Sequence, residues 1–481
     1  MNRNVFITLL IAVPAALIAV PAALGQGVRS TAEVGPISIS RQLSLSQAQD
    51  LLLKRNLSVL ASREQLEVSE ALRVIAGYRP NPVLQIGAEQ FPVHSPVPGS
   101  VPRFFSTNSD AGAEPTYTAQ VMKIFERGGK REFRMGQADA VVEASRYQIL
   151  DAFRTQLYQL RQAYTAAILA RENLRLAEAS NREYQQTQEL TAIRVKTGDM
   201  AMMELFRARA GRLPFQQAIL DARTAYEQAG KDILNLLNAT VADATELSAN
   251  TNHALTLIGA RQGSVEAIDP GDTQFRPTLE ITGTFTDRAL PGDLARLKAM
   301  ALDSRPDVLA ARANLRAADQ ALALAGAQRK RDIAVGVEYQ RVGNDSAVGM
   351  IAQVPLFLYN NQKAAVAQAA AQHRIAEAQE RQAEMQALTD IEKAYQAYLS
   401  ARNLVALYSS ENLVQVENLR STAEYSYKHG DTSLFEYLDA ARTARQAAIS
   451  ANQARAAYQL ALWQMENAVG TGFDPATVLQ R

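Results

Sequence analysis

The sequence predicts a mostly α protein with a small β part, built as two copies of one large unit. Three observations carry that reading. The first is a self-match: Val59-Leu60-Ala61 recurs as Val308-Leu309-Ala310, Ala119-Gln120-Val121 as Ala352-Gln353-Val354, and Lys196-x-Gly198-Asp199 as Lys428-x-Gly430-Asp431. Spacing of that size means duplication of a whole unit, not a short solenoid period. The second is a lack of helix breakers: Lys363 to His429 contains neither Gly nor Pro, and Arg131 to Thr197 contains only Gly136. The third is a pair of short stretches in each half with apolar residues at every second position, the period of a strand.

The elements follow in order. Residues 1–25 read as a signal peptide: Arg3, an apolar run from Val5 to Leu24, then the small-x-small pattern Ala23-Leu24-Gly25. The apolar run is near spanning length, so an uncleaved anchor competes; Pro14 and Pro21 favour cleavage. Residues 26–41 form a short segment before the first repeat, 42–240. That repeat opens with an amphipathic helix carrying Leu57, Leu60, Leu66 and Val68, closed by Pro80 and Pro82. A β-hairpin is expected at about 84–125, its strands separated by a Pro/Ser-rich connection from Phe91 to Pro115 and its second strand running from Tyr117 to Phe125. A long helix, a Gly-Asp turn at about 196–200 and a return helix from Met202 to Leu237 complete the unit, with a kink expected at Pro214. Residues 241–290 are a connector, placed by chain position alone, with 27–42, as a collar around the middle. The second repeat, 291–472, has a hairpin at about 332–358, with Arg341 to Ala347 as the connection and Val348 to Leu358 as the returning strand. One long helix to His429, a turn at about 428–432 and a return helix from Ser433 to Val469 follow; 473–481 is a tail.

At 1.5 Å per residue, a helix of about 65 residues is roughly 100 Å long. No globule of ordinary size buries such a rod, so it must lie along neighbours, and the frequent Ala residues let helix axes approach. In the strands, Gln85, Glu89, Gln120 and Gln353 fit a watery side, while Ile86, Val121 and Val354 fit a lipid side, as membrane strands require. Two hairpins cannot close a cylinder. An open sheet leaves backbone groups unpaired at both edges, which lipid does not tolerate. The sequence therefore expects several copies around one axis.

Other classes lack their residues. A formal charge of +1 offers no broad basic face for nucleic acid. Without cysteine there are no disulfides, no thiol nucleophile and no lipid attachment through Cys. The four His are not spaced as metal pairs, and no catalytic constellation or phosphate-cradling loop appears. Neither an enzyme nor a cofactor nor a metal site is expected. A periplasmic coiled-coil scaffold would explain the long helices but not four strands placed symmetrically before them.

With the repeat, the element order and the phrase Arg79-Pro80-Asn81-Pro82 in hand, the chain resembles the TolC-type outer membrane factors, the exit ducts of bacterial tripartite efflux and type I secretion systems. The stretch Glu126-Arg127-Gly128-Gly129-Lys130-Arg131 looks like members that serve resistance-nodulation-division (RND) pumps, particularly the heavy-metal, Czc-like branch. The resemblance implies a homotrimer: a twelve-stranded barrel in the outer membrane of a Gram-negative bacterium, four strands per chain, above a twelve-helix periplasmic tunnel. It implies Sec export, and passive conduction to the exterior by a duct docked to a periplasmic adaptor (membrane fusion protein) and an inner-membrane RND pump. A type I protein-secretion duct of the same fold is the alternative. It also implies site residues. Glu436 and Asp439 match the acidic ring of the periplasmic aperture. Glu204 and Tyr427 match a lock between the tips, but Thr432 stands where an Arg partner is usual, so a weaker lock, or one through Lys428 or Arg207, is expected. Gly198, Asp199, Met200, Gly430, Asp431 and Thr432 fall on the adaptor-docking tips, where Met200, Met202 and Met203 offer an adaptable apolar surface. Read without the resemblance, Ser433-Leu434-Phe435-Glu436 is a capping box, so Glu436 has a second reading. Cargo (metal cation, drug or protein) stays open.

Overall fold

The computed structural model describes residues 35–90, 115–241, 275–286, 288–289, 292–408 and 410–480. The signal peptide, most of the connection from Phe91 to Pro115, and most of the 241–290 connector lie outside those residues.

The sheet is the part that the helices carry. Strands β3 (Val83–Glu89), β4 (Thr116–Phe125), β7 (Ile333–Val342) and β8 (Asp345–Gln353) form one antiparallel sheet in the order β3-β4-β7-β8. Register aligns whole rows across it. Leu84, Val121, Val337 and Met350 stand opposite one another, as do Ile86, Ala119, Tyr339 and Val348; the adjacent row is Gln85, Gln120, Glu338 and Gly349. Because facing residues share a side, one face is apolar and the other polar. The apolar face is bare: Ile86 is 74 % exposed, Val348 and Met350 each 81 %. Gln353 lies on the polar side, opposite Ala334. Val354, expected on the lipid side, lies beyond the end of β8. The returning strand thus runs from Asp345 to Gln353, not from Val348 to Leu358. The connection is shorter than expected, a two-residue loop in which Gly343 takes φ 55°, matching the preference for Gly at the first position of such a loop. Pro355, which has no N–H to donate, stands just past the strand's end.

The rods differ between the repeats. Helix α3 (Lys130–Thr197) runs 68 residues without interruption. The equivalent run, expected as one helix, is two: α7 (Lys363–Leu407) and α8 (Ser410–His429). Tyr408 leaves helical geometry at φ −92°, ψ 43°, and Asn412 Nδ2 donates to Leu407 O at 2.7 Å. A short polar side chain thus takes a carbonyl near the end of α7, the competition that makes Asn a poor interior helix residue. Helix α4 (Met202–Leu236) continues through Pro214.

Shorter helices lie end to end along these rods. Helix α2 (Leu57–Ala76), preceded by α1 (Leu45–Arg55), covers the sheet-side half of α3, with Ser69 and Ser145 hydroxyls 2.8 Å apart. Helix α4 covers the far half. They meet at Asn56, whose Oδ1 caps α2 by accepting from the N–H of Ser58 and Val59, while its Nδ2 donates to Leu236 O at 2.8 Å. The second repeat has its own splice. Between α5 (Leu294–Ser304) and α6 (Pro306–Ala327), Arg305 is buried; it donates to Ala468 O near the end of α9 (Leu434–Val469), and pairs with Asp307 and with Asp390 at 2.7 Å. Strands β1 (Ile37–Ile39) and β2 (Gln42–Leu43) pair in parallel with β5 (Ala239–Val241) and β6 (Glu280–Ile281). They sit midway along α3, where Tyr164 donates to the carbonyls of Leu43 and Thr282. The largest buried cluster lies there, around Leu52, Leu160, Tyr164, Ile168 and Ile233. Helix α10 (Pro475–Gln480) closes the described chain.

Candidate functional site: the two helical tips

Each tip is a helix reversal built by glycine. Gly198 (φ 86°) ends α3 and Gly430 (φ 88°) ends α8, both left-handed. A Cβ at either position would meet open space, so the demand is for the dihedral and not for room. Both reversals make the same two bonds: Asp199 N–H to Arg194 O and Asp431 N–H to Ser426 O, each 2.9 Å, and the glycine N–H to the carbonyl three residues back. This Schellman-like closure satisfies the last helix carbonyls.

The tips are packed together. Tyr427 and Tyr437 stack with centroids 5.5 Å apart, and both are buried with Leu434 and Ala208. Thr191 Oγ1 lies 2.7 Å from the Tyr427 hydroxyl, and the Thr187 hydroxyl donates to Tyr437 at 3.3 Å. Arg194 ties the tips further: its guanidinium donates to the carbonyls of Tyr427 (3.1 Å) and Lys428 (2.6 Å), with the Tyr427 ring beneath it. Of the residues expected to lock the tips, Tyr427 is in this knot. Glu204 is not: within the chain it accepts from Arg207 of its own helix at 2.7 Å, and Lys428 pairs with Glu424 at 2.6 Å. Sequence reasoning missed Arg194, Thr191, Thr187 and Tyr437. The available signal was weak: two Tyr flanking one turn, ten residues apart.

The acidic pair stands clear of this knot. Buried Leu434, Tyr437 and Ala440 define the inward face of α9, leaving Glu436 and Asp439 exposed on the other. Glu436 closes the capping box, its carboxylate accepting from Ser433 N–H and its own N–H donating to Ser433 Oγ, both at 3.3 Å. The Asp439 carboxylate has no hydrogen bond or ion pair to any described residue. Aligning the glycines places Glu204 on Glu436 and Arg207 on Asp439. The first tip therefore neutralises its carboxylate with an Arg three residues on, whereas the second puts a further acid there. Apolar exposure also divides. Met200 turns into the knot, while Met202, Met203, Phe206 and Phe435 are 54–72 % exposed. Gly198, Asp199, Gly430 and Asp431 are at the surface; Thr432 is half-buried.

Above the knot, Arg420 draws α3 and α8 together. It pairs with Glu417 at 2.6 Å, Glu424 at 3.1 Å and Glu183 of α3 at 3.2 Å, and these bonds, Glu417 first, raise its pKa. Burial pushes the Glu183 carboxyl up against the pull of Arg420. A cavity of about 140 Å³ lies beside it. Its wall includes Tyr184, whose hydroxyl is buried without a partner among the described residues, and burial lifts that phenol to about 12. No cluster of metal-ligating side chains occurs among the described residues.

Residues 48–239 and 297–471 match the family model described as outer membrane efflux protein. No curated protein matches the sequence. Among solved structures, the chain is similar to a membrane protein from Pseudomonas aeruginosa at 17 % identity and TM-score 0.68, covering 92 % of each chain. It is similar to the outer-membrane channel OprN at 18 % and TM-score 0.67, covering 93 % of this chain and 96 % of that one. It also resembles the outer membrane protein VceC of Vibrio cholerae at 17 % and TM-score 0.66, with 89 % and 97 % covered.

Proposed function

This chain belongs to the outer membrane efflux protein family, and from that premise we propose that three copies close into the exit duct of a tripartite efflux system. The duct is a twelve-stranded barrel in the outer membrane standing on a helical tunnel through the periplasm. It conducts substrate passively, docked at its tips to a periplasmic adaptor, with an inner-membrane RND pump supplying the energy. Met202, Met203, Phe206 and Phe435 are the exposed apolar residues that an adaptor helix would meet.

The observation that carries this reading is the sheet. Strands β4 and β7 have 10 residues and β8 has 9, the length of a tilted membrane-spanning strand. No described helix is long and apolar enough to cross a membrane. An exposed apolar face with bare edges at β3 and β8 is unstable in water and, in lipid, needs further copies to pair those edges. A scaffold that never inserts has no use for such a face. Within Glu126 to Arg131, Gly128 and Gly129, both left-handed, turn β4 into α3, a task common to any cargo, so the heavy-metal branch is supported by resemblance alone.

Around a threefold axis Glu436 and Asp439, neither in an ion pair with a described residue, would gather six carboxylates at the tunnel's end, favouring cations. In planar bilayers, wild type is expected to show cation preference and block by divalent cations. Glu436→Gln with Asp439→Asn is expected to weaken that block about ten-fold or more, since two charges at about 1 kcal/mol each exceed the 1.4 kcal/mol of a ten-fold change. An unchanged block would remove the ring. Extraction of the protein from membranes by buffer alone, without detergent, would remove the duct itself.

A further inference from the structure

All four junctions between sheet and helices lie at one end of the sheet. β3 and β7 begin there after α2 and α6; β4 and β8 end there before α3 and α7, with Phe125 opposite Ile333 and Ala334 opposite Gln353. Charge at that end is lopsided. Residues 78–82, 123–131, 328–332 and 354–363 hold nine Lys or Arg against two Asp or Glu, in a chain whose net charge is only +1. Both acids are committed within the fold: Glu126 pairs with Arg134 at 2.5 Å, and Asp332 pairs with Lys130 at 2.7 Å. The side chains of Arg79, Arg127, Lys330, Arg331 and Lys363 have no carboxylate partner among the described residues, and all five residues are exposed. At the opposite end the described charges nearly cancel, with Glu89 and Asp345 beside Arg341.

Apolar side chains alternate with these cations. Tyr78 is 62 % exposed, and past β8 an extended run presents Leu356, Leu358 and Tyr359 at 68, 77 and 101 %. The Arg331 guanidinium lies 5.6 Å from the centre of the Phe357 ring, and Lys123 lies 5.5 Å from that of Phe125. Aromatic bodies with cations beside them suit the boundary between hydrocarbon and water. Free phosphate would satisfy the cations and leave the Leu-Tyr run in water. A phospholipid answers both.

We propose that this end of the sheet is a docking surface for anionic phospholipid in the leaflet facing the helices. The cations grip headgroup phosphates while Leu356, Leu358 and Tyr359 enter the acyl region. The inference rests on the barrel reading above. The full chain is placed in vesicles of phosphatidylethanolamine alone, and of phosphatidylethanolamine with one part in four phosphatidylglycerol; lipids that stay bound after mild detergent treatment are counted by native mass spectrometry. Phosphatidylglycerol is expected to be retained in excess over its share, with the excess falling as salt rises. Arg331→Gln or Lys363→Gln should each reduce that excess up to about five-fold. Arg331→Lys, which keeps the charge, should preserve it. Insertion with no excess, or with an excess that the Gln variants leave intact, overturns the docking surface while the duct reading stands. Failure to insert into either vesicle overturns both.

Discussion

At the residue scale, the tips separate what a sequence can announce from what only folding creates. Gly198 and Gly430 were legible because a left-handed reversal after a long helix has few other solutions. The capping box at Ser433 was legible for a similar reason, since both partners lie within four residues. Arg194 was not, because its acceptors at Tyr427 and Lys428 are more than 230 residues away. Nor was Tyr184, 3 % exposed, whose hydroxyl lies so close to Gly211 that a Cβ there would collide with it. That phenol makes the tips sensitive to alkali. Its ordinary value is 10 and burial raises it to about 12 in the fold, so above pH 10 the unfolded chain releases a proton that the native one keeps. Stability is full below pH 10 and is lost as pH rises through about 12. Thermal melts across that window should show Tyr184→Phe losing less than wild type. At neutral pH the variant should be no less stable, since it removes a buried, unpaired hydroxyl.

At the element scale, the repeat and its order of helix, hairpin, rod and return helix were readable from matched phrases and the absence of Gly and Pro. Two features were not. The strand boundaries slipped at β8 because Val348 to Leu358 keeps an apolar character past Gln353, and pattern alone does not mark where pairing stops. The rod of the second repeat was read as continuous because Tyr408 and the residues after it are tolerable helix formers; the stitch from Asn412 to Leu407 is a folded-state event. The splices also escaped. Asn56 and Arg305 look like ordinary polar residues, yet each joins two helices end to end. Arg305 has a side chain only 4 % exposed beside Asp307 and Asp390. Arg305→Leu should therefore cost about 1–3 kcal/mol, because it leaves the Ala468 carbonyl and the half-buried Asp307 and Asp390 without their donor. Denaturant melts would register this, and a loss below about 1 kcal/mol would mean that the splice is slack.

At the scale of the whole molecule, the sheet is the feature with an unmet need, and its apolar rows set a depth-dependent test. Met350 stands in the row with Leu84, Val121 and Val337. Met350→Arg should cost about 2–4 kcal/mol of barrel stability if that row lies near the bilayer midplane, measured by reversible unfolding from vesicles. Gln120→Arg, on the opposite face, should cost little. The broken rod has a consequence of its own. One limb of each chain is stiff from shoulder to toe, and the other has a knee near Tyr408. Thermal bending gathers at such a joint, so the toe carrying Glu436 and Asp439 can swing once the ties from Arg194 and Arg420 to the stiff limb let go. Splinting the knee with Asn412→Ala, far from the threshold, should lower the fraction of time the port stands ajar in single-channel records; an unchanged fraction would show that the joint does not serve as a hinge.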